Sequence, residues 1–172
     1  MKRILIILAV LAMLLMPSAA FALTTADVVV TATPSYISIL VAPTTYDFGG
    51  VAPSITSNTT TAYFTVNNTS TVVTDQTIGV TTTANWTGGI GWIHSETATV
   101  DVDQVGLRAN KGGAWGTGDV IVKRTNDTPN LISDNQTATT DYSFGLSIAT
   151  PTSFNDGVQK QVTVRITAAA AI

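Results

Sequence analysis

The chain of 172 residues contains no cysteine. This absence excludes disulfide cross-links, a thiol nucleophile and any metal site built from thiolates. Charged residues are scarce as well, at 11% of the sequence. The folded protein must therefore be stabilised by sheet hydrogen bonds, core packing or assembly, and Thr and Ser take over the solubilising role that Lys and Glu usually have.

Helical periodicity is the second missing feature. Beyond residue 22, no stretch repeats its apolar residues at the helical period, and the density of Thr and Gly argues against a helix. Val, Ile and Thr are abundant instead, which excludes a disordered chain and favours β-strands. About 150 residues follow this point, enough for one ordinary domain with a core.

The N-terminus has the three parts of a secretory signal peptide. Met1-Lys2-Arg3 is cationic and residues 4–16 are apolar. Small residues, Ala20 and Ala22, then occupy the two positions that a signal peptidase reads. The apolar run of about 13 residues is too short for a membrane anchor, which needs roughly 20. We therefore predict a signal peptide over residues 1–22 and a protein that is secreted, in the extracellular space or at the cell surface.

Cleavage of this leader changes the charge balance. It would remove Lys2 and Arg3 and leave six basic against eleven acidic side chains, a net charge near −5. Such a balance disfavours nucleic acid and anionic membranes as partners.

The segment after the leader is apolar and β-prone. Residues 26–41 hold two apolar runs separated by Pro34. In the first run, alternate residues share a face, and the residues on one side are Val28, Val30 and Ala32, with Val29 and Thr31 on the other. We predict that residues 23–35 form an exposed N-terminal strand segment, whereas residues 36–172 form the domain.

Several stretches alternate with the period of a β-strand. Clear strands are predicted over residues 62–67, 78–82, 141–148 and 162–167, and shorter ones over residues 98–102, 105–109 and 120–123. Residues 125–136 are predicted as a loop from their Asp, Asn and Pro content, and the last two strands are expected to pair. This pattern predicts an all-β fold: a single antiparallel β-sandwich with immunoglobulin-like or jelly-roll connections.

Two stretches carry a family resemblance. Asp47-Phe48-Gly49-Gly50-Val51, followed by Phe64-Thr65-Val66-Asn67-Asn68-Thr69, resembles a pattern of secreted immunoglobulin-like domains related to the PapD-type sandwich. The whole layout also resembles the subunits of bacterial TasA-like biofilm fibres and archaeal bundling pili or threads. That resemblance implies a β-sandwich that follows a signal peptide and donates its N-terminal strand to the next subunit. No family-specific site maps onto this chain.

No combination of residues indicates catalysis, so we predict that the protein is not an enzyme and uses no cofactor. His94 is the only histidine, and Ser95 beside it has the wrong geometry for its nucleophile. We expect His94 on the surface or in a loop. Asp101 and Asp103, at alternate positions of a predicted strand, are candidate Ca²⁺ ligands together with loop acids. The alternative for these two is a solvated strand face.

The three tryptophans lie in a glycine-rich middle region and are Trp86, Trp92 and Trp115. Exposed aromatic rings stack on sugars, so the three rings are a candidate ligand platform for a cell-surface glycan. Sandwiches also bury tryptophan between their sheets, and we expect at least one of the three in the core.

Six of the nine asparagines stand in Asn-x-Ser/Thr sequons, where chance predicts about two or three. These candidate glycosylation sites are Asn58, Asn67, Asn68, Asn85, Asn126 and Asn135. The excess indicates a surface glycoprotein of an organism with N-glycosylation, such as an archaeon. The alternative is a Thr-rich bacterial sequence whose sequons are never modified.

The leading hypothesis is a secreted structural subunit that polymerises with copies of itself into an extracellular filament or surface layer. Assembly would occur by donor-strand exchange, in which the N-terminal strand of one copy is added to the sheet of the next. The residues predicted to enter the next subunit are Val28, Val29, Val30 and Ala32. The alternative is a surface-displayed adhesin or carbohydrate-binding module that uses the tryptophans. Exposure of the rings separates the two, because three buried rings would remove the alternative.

Overall fold

A computed structural model describes residues 26–81, 85–124 and 130–172 of the chain. All regular secondary structure in these ranges is β-strand, so the predicted all-β sandwich is confirmed. No helix long and apolar enough to cross a membrane occurs in the described ranges. The predicted signal peptide, residues 1–22, lies outside them.

The strands are numbered in chain order. They are β1 (Ile39–Ala42), β2 (Thr56–Asn58), β3 (Phe64–Asn68), β4 (Thr74–Val80), β5 (Ile93–His94), β6 (Gln104–Asn110), β7 (Val120–Ile121), β8 (Lys123–Arg124), β9 (Asn130–Gln136), β10 (Asp141–Ala149) and β11 (Val164–Ala170).

Two sheets pack against each other. The first has seven strands in the order β1, β3, β10, β6 and β5, with β2 paired to β10 and β7 paired to β6. The second has four strands in the order β11, β4 and β8, with β9 paired to β4. Most neighbours are antiparallel, but β4 and β8 pair in parallel, as do β5 and β6. β1 and β11 are therefore end strands of their sheets.

The core lies between the sheets, and β10 shows how the sequence builds it. Its alternating apolar residues are all buried, as the period-2 pattern predicted: Tyr142, Phe144, Leu146 and Ile148. From the second sheet, Ile78 and Val80 of β4 join the same core. Gly145 of β10 faces the other way, where a Cβ would come within 2.4 Å of the Thr60 carbonyl oxygen. Only glycine fits at that position.

The predicted pairing of the last two strands is wrong. β10 pairs with β2, β3 and β6 in the first sheet, whereas β11 pairs with β4 in the second. Alternation identifies the buried face of a strand but carries no information about its neighbour. The two strands therefore contribute to opposite sides of the core.

Three local predictions are also corrected. Residues 98–102 form no named strand, because Ala98 and Asp103 have φ values of 56° and 55° that interrupt an extended backbone. The end of the predicted loop at 125–136 is strand β9, which pairs with β4 through two register shifts. Residues 120–123 do not form one strand, because the chain leaves the first sheet after β7 and joins the second in β8. Val122, between β7 and β8, is fully buried.

The chain divides into two compact units, Met1–Thr33 and Pro34–Ile172. In the first unit, the described residues 26–33 contain no strand, and the side chains of Val28, Val29 and Val30 are 84%, 86% and 86% exposed. All eleven strands belong to the second unit.

Candidate strand-acceptor groove

A groove of about 1030 Å³ with two apolar walls and polar rims lies between the two sheets of the second unit. One wall is the inner face of the first sheet and consists of Phe64, Leu107, Phe144, Leu146 and Ile148. The opposite wall consists of Val164 and Ile166 at the start of β11 and of Val162, which precedes the strand. Protein interiors are normally filled with side chains, so the sandwich is incomplete here.

The burial of β11 agrees with an incomplete sandwich. Val164 lies opposite Val80 of β4, and Ile166 lies opposite Ile78. The two β4 residues are 0% exposed, whereas Val164 and Ile166 are only partly buried. β4 has strands on both edges, but β11 pairs only with β4 among the described residues. The missing neighbour leaves the inward side chains of β11 half covered.

The backbone hydrogen bonds show which groups of β11 are free. The Thr81 amide donates to the Thr163 carbonyl at 3.0 Å, and the Ala171 amide donates to the Val73 carbonyl at 3.1 Å. In an antiparallel strand, every second residue directs its backbone amide and carbonyl to the neighbour on one side. Because Thr163 and Ala171 bond the β4 side, the odd-numbered residues between them bond β4. The even-numbered residues direct their amides and carbonyls to the open edge, and they are Val164, Ile166, Ala168 and Ala170. This edge is a template for one further strand.

Residues 43–51 form one rim of the groove. Tyr46 holds this rim through edge contacts with Phe48 and Tyr63, at ring-centroid distances of 4.8 and 4.7 Å. The Asp47 carboxylate accepts a hydrogen bond from the Gly49 amide at 2.8 Å, and Gly49 turns the chain with a φ of 69°. The Asp47-to-Val51 motif therefore borders the groove.

The chain before β11 forms a second rim, residues 156–161. Lys160 Nζ lies 2.5 Å from Asp156 Oδ1 and also donates to the Gly88 carbonyl at 2.8 Å. The Ile90 amide donates to Asp156 Oδ2 at 2.5 Å. The hydrogen bond from Lys160, followed by that from Ile90, holds the pKa of Asp156 below its ordinary 3.8. These bonds tie the rim to residues 88–90 and fix its position.

His94 is buried, not on the surface as expected. It is 2% exposed on β5, its Nε2 lies 2.6 Å from the Val122 carbonyl oxygen, and its Nδ1 accepts a bond from Trp86 Nε1 at 3.5 Å. Burial lowers the pKa of His94 from its ordinary 6.5. The His94 ring therefore cross-links core elements in its neutral form. The hydroxyl of the neighbouring Ser95 lies 3.4 Å from the Thr97 hydroxyl.

Two tryptophans belong to the core, which confirms that at least one would be buried. Trp86 is 7% and Trp92 is 6% exposed, with ring centroids 5.9 Å apart, and both line the groove. Trp115 is partly exposed in the loop between β6 and β7. The three rings therefore do not form an open sugar platform, and two of them are withdrawn from solvent.

The candidate Ca²⁺ ligands do not share a strand face. Asp101 is exposed and caps a turn by accepting a bond from the Val102 amide at 2.8 Å. Asp103 accepts a bond from the Asn155 side chain. Within the described ranges, no group of three or more His, Cys, Asp or Glu side chains is arranged to hold a metal ion.

The sequons differ in accessibility. Asn58, Asn85 and Asn135 are exposed, and Asn67 is half-buried. Asn126 lies outside the described residues. The prediction of Asn68 as a glycosylation site is wrong, because its side chain is 0% exposed and its Nδ2 donates to the carbonyls of residues 72, 136 and 137. A glycan on this nitrogen has no room in the folded domain.

The predicted strand donors lie in the first unit and are all exposed: Val28, Val29, Val30 and Ala32. The residues of the groove were not predicted. The alternation of residues 162–167 identified the inward face of β11, but no local signal in the sequence shows that a strand lacks a neighbour.

Comparison of the chain with protein-family models, with curated proteins and with solved structures gave no match.

Proposed function

We propose that the protein is a secreted structural subunit that polymerises into an extracellular filament or surface layer. Residues 26–33 of one copy act as the donor strand, and the groove beside β11 of the next copy accepts it. The observation that carries this proposal is the combination of an exposed apolar segment and an apolar groove with an unpaired strand edge. The protein needs no catalytic step for this role.

The sizes of donor and acceptor are compatible. An extended segment of eight residues spans about 26 Å, the same length as residues 159–166, which comprise the end of the second rim and the start of β11. Val28, Val30 and Ala32 would enter the groove as alternate residues, while the donor backbone would bond the even-numbered residues at the start of β11 and just before it. Burial of each valine contributes about 1.5–3 kcal/mol, and each main-chain hydrogen bond about 0.5–1.5 kcal/mol. These gains oppose an association cost of about 4–15 kcal/mol.

The arrangement produces a filament. Donor and acceptor are different surfaces of one subunit, so each copy donates to one neighbour and accepts from another. A head-to-tail contact that does not close into a ring generates an open chain of subunits. The predicted signal peptide supports export, and the exposed sequons Asn58, Asn85 and Asn135 support a glycosylated outer surface.

The experiment compares two forms of the purified protein by electron microscopy and light scattering. One begins at Leu23, after the predicted cleavage site, and the other begins at Ser35 and lacks the donor strand. We expect filaments from the first form and monomers from the second. Filaments from both forms, or monomers from both, would contradict strand donation.

A further inference from the structure

Donor and acceptor strands each carry a single charged side chain, and the two charges are opposite. Asp27 is the only charged residue of residues 26–33, and Arg165 is the only charged residue of β11. Both are exposed. Among the described residues, Arg165 has no ion pair or side-chain hydrogen bond.

The two charges fall on the same face of the assembled sheet. In β11, Val164 and Ile166 face the groove, so Arg165 faces away from it. In the donor, Val28 and Val30 enter the groove, so Asp27 points away from it as well. A donor strand beside β11 in the second sheet therefore presents Asp27 on the outer face that carries Arg165.

The outer face also disfavours other positions of the donor. Arg165 lies opposite Gly79 of β4, which in turn lies opposite Lys123 of β8, so this row is positive. Further along β11, Ala169 lies opposite Asp75 of β4. A donor shifted to that end would place Asp27 opposite Ala169, which is uncharged, and would remove it from Arg165.

The extent of the groove decides the direction of the donor. With Asp27 opposite Arg165, an antiparallel donor places Val28 opposite Val164 and Val30 opposite Val162, both of which line the groove. A parallel donor would place Val30 opposite Ala168, which is not part of the groove lining. Only the antiparallel direction puts both valines into the cavity.

We infer that the donor strand runs antiparallel to β11 of the neighbouring copy, with Asp27 paired to Arg165 across the subunit junction. This inference rests on the proposed function and specifies its register. The ion pair selects the register, because like or opposite charges on directly opposed residues discriminate between alignments of a strand that is otherwise apolar.

Introduced cysteines test the register, because the chain has no cysteine of its own. In the antiparallel register, Val29 lies opposite Thr163, whereas in a parallel register with the same ion pair it lies opposite Thr167. Odd-numbered residues from Thr163 onward bond β4, so the antiparallel pair of Val29 and Thr163 is a non-hydrogen-bonded pair on the donor side, with Cα atoms about 4.5 Å apart. Opposed residues of parallel strands lie about 4.8 Å apart, so both pairs are within the range of a disulfide.

The assay oxidises filaments of the two double variants, V29C with T163C and V29C with T167C, and resolves the products on a denaturing gel. We expect a ladder of covalent oligomers from the first variant and at least about five-fold less from the second. A ladder from the second variant only, or equal ladders, would overturn the register. Filaments without either ladder would overturn it too, while strand donation itself would still be decided by the form that begins at Ser35.

Charge reversal gives an independent readout on the same filaments. Asp27→Arg or Arg165→Asp alone should raise the protein concentration needed for filaments about five-fold, and the two together should restore it. A double variant that is as impaired as the sum of the single variants would overturn the pairing of Asp27 with Arg165.

Discussion

Ile166 of β11 and Ile78 of β4 lie directly opposite each other in one sheet, yet Ile78 is 0% exposed and Ile166 is only partly buried. Two identical side chains in paired strands usually share the same core. The difference arises because β4 is flanked on both edges, whereas β11 has one open edge among the described residues. The unequal burial of Ile78 and Ile166 therefore indicates that a strand is missing beside β11.

Truncation of these two isoleucines should have unequal costs. Ile78→Ala removes a fully buried side chain and should lower the free energy of unfolding by about 2–5 kcal/mol. Ile166→Ala removes a side chain that already borders the groove, so we expect a loss of about 1 kcal/mol in the monomer. Urea unfolding of the form that begins at Ser35 measures both. Equal losses would show that β11 is as well packed as β4.

The amides of β11 should exchange with solvent in an alternating pattern. The even-numbered amides of Val164, Ile166 and Ala168 face the open edge, whereas those of Arg165 and Thr167 bond β4. We expect fast exchange for the first set and protection for the second, measured residue by residue by NMR on the monomeric form. Uniform protection along β11 would mean that its outer edge is already occupied.

A charge introduced into the donor strand should act according to its face. Val30→Asp places a carboxylate in the apolar groove, where an unpaired charge is strongly unfavourable, and should abolish filaments. Val29→Asp is the matched control, because its side chain faces away from the groove and toward the side of Arg165. Light scattering distinguishes the two, and equal loss of filaments would exclude the proposed alternation of the donor.

The strands that could be predicted from the sequence are those whose apolar residues alternate with small or polar ones. In β10, Tyr142 and Phe144 face the core, while Gly145 and Ser147 lie on the other face, which is buried as well and not wet as the alternation predicted. β9 escaped prediction because its residues are mostly polar and its pairing with β4 is bulged at two places, so no period survives. Its turn-forming Asn135, with a φ of 50°, is part of the strand.

The groove and the buried histidine could not be predicted for a different reason. Whether β11 has a neighbour is decided by residues distant in sequence, and periodicity is a local property. The burial of His94 depends on the carbonyl of Val122, which comes from the crossing between the two sheets. The exposure of the segment that holds Val28, Val29 and Val30 was easier to predict, because these consecutive β-branched residues lie close to the predicted cleavage site.

The stability of the protein should fall on mild acidification through His94. Burial lowers the pKa of this ring below 6.5, so the folded state binds fewer protons than the unfolded state. Stability is therefore complete above pH 6.5 and decreases below it, by up to about 1.4 kcal/mol per pH unit until the folded pKa is reached. Asp156, whose pKa is held below 3.8, titrates outside this window.

Urea unfolding at pH 7.5, 6.5 and 5.5 measures this dependence, with His94→Gln as the matched variant. We expect the loss between pH 6.5 and 5.5 in the parent and a flatter profile in the variant, although the variant starts from a lower stability. A parent and variant with the same pH profile would assign the dependence to other groups.

The most direct measurement of strand donation is an NMR titration of the form that begins at Ser35 with a synthetic peptide of residues 26–33. We predict one-to-one binding, chemical-shift changes at Val164 and Ile166, and slower exchange of the amides of these two residues. A peptide with Val28→Asp and Val30→Asp should cause none of these changes. No binding, or shift changes confined to residues away from β11 and the groove, would contradict the account.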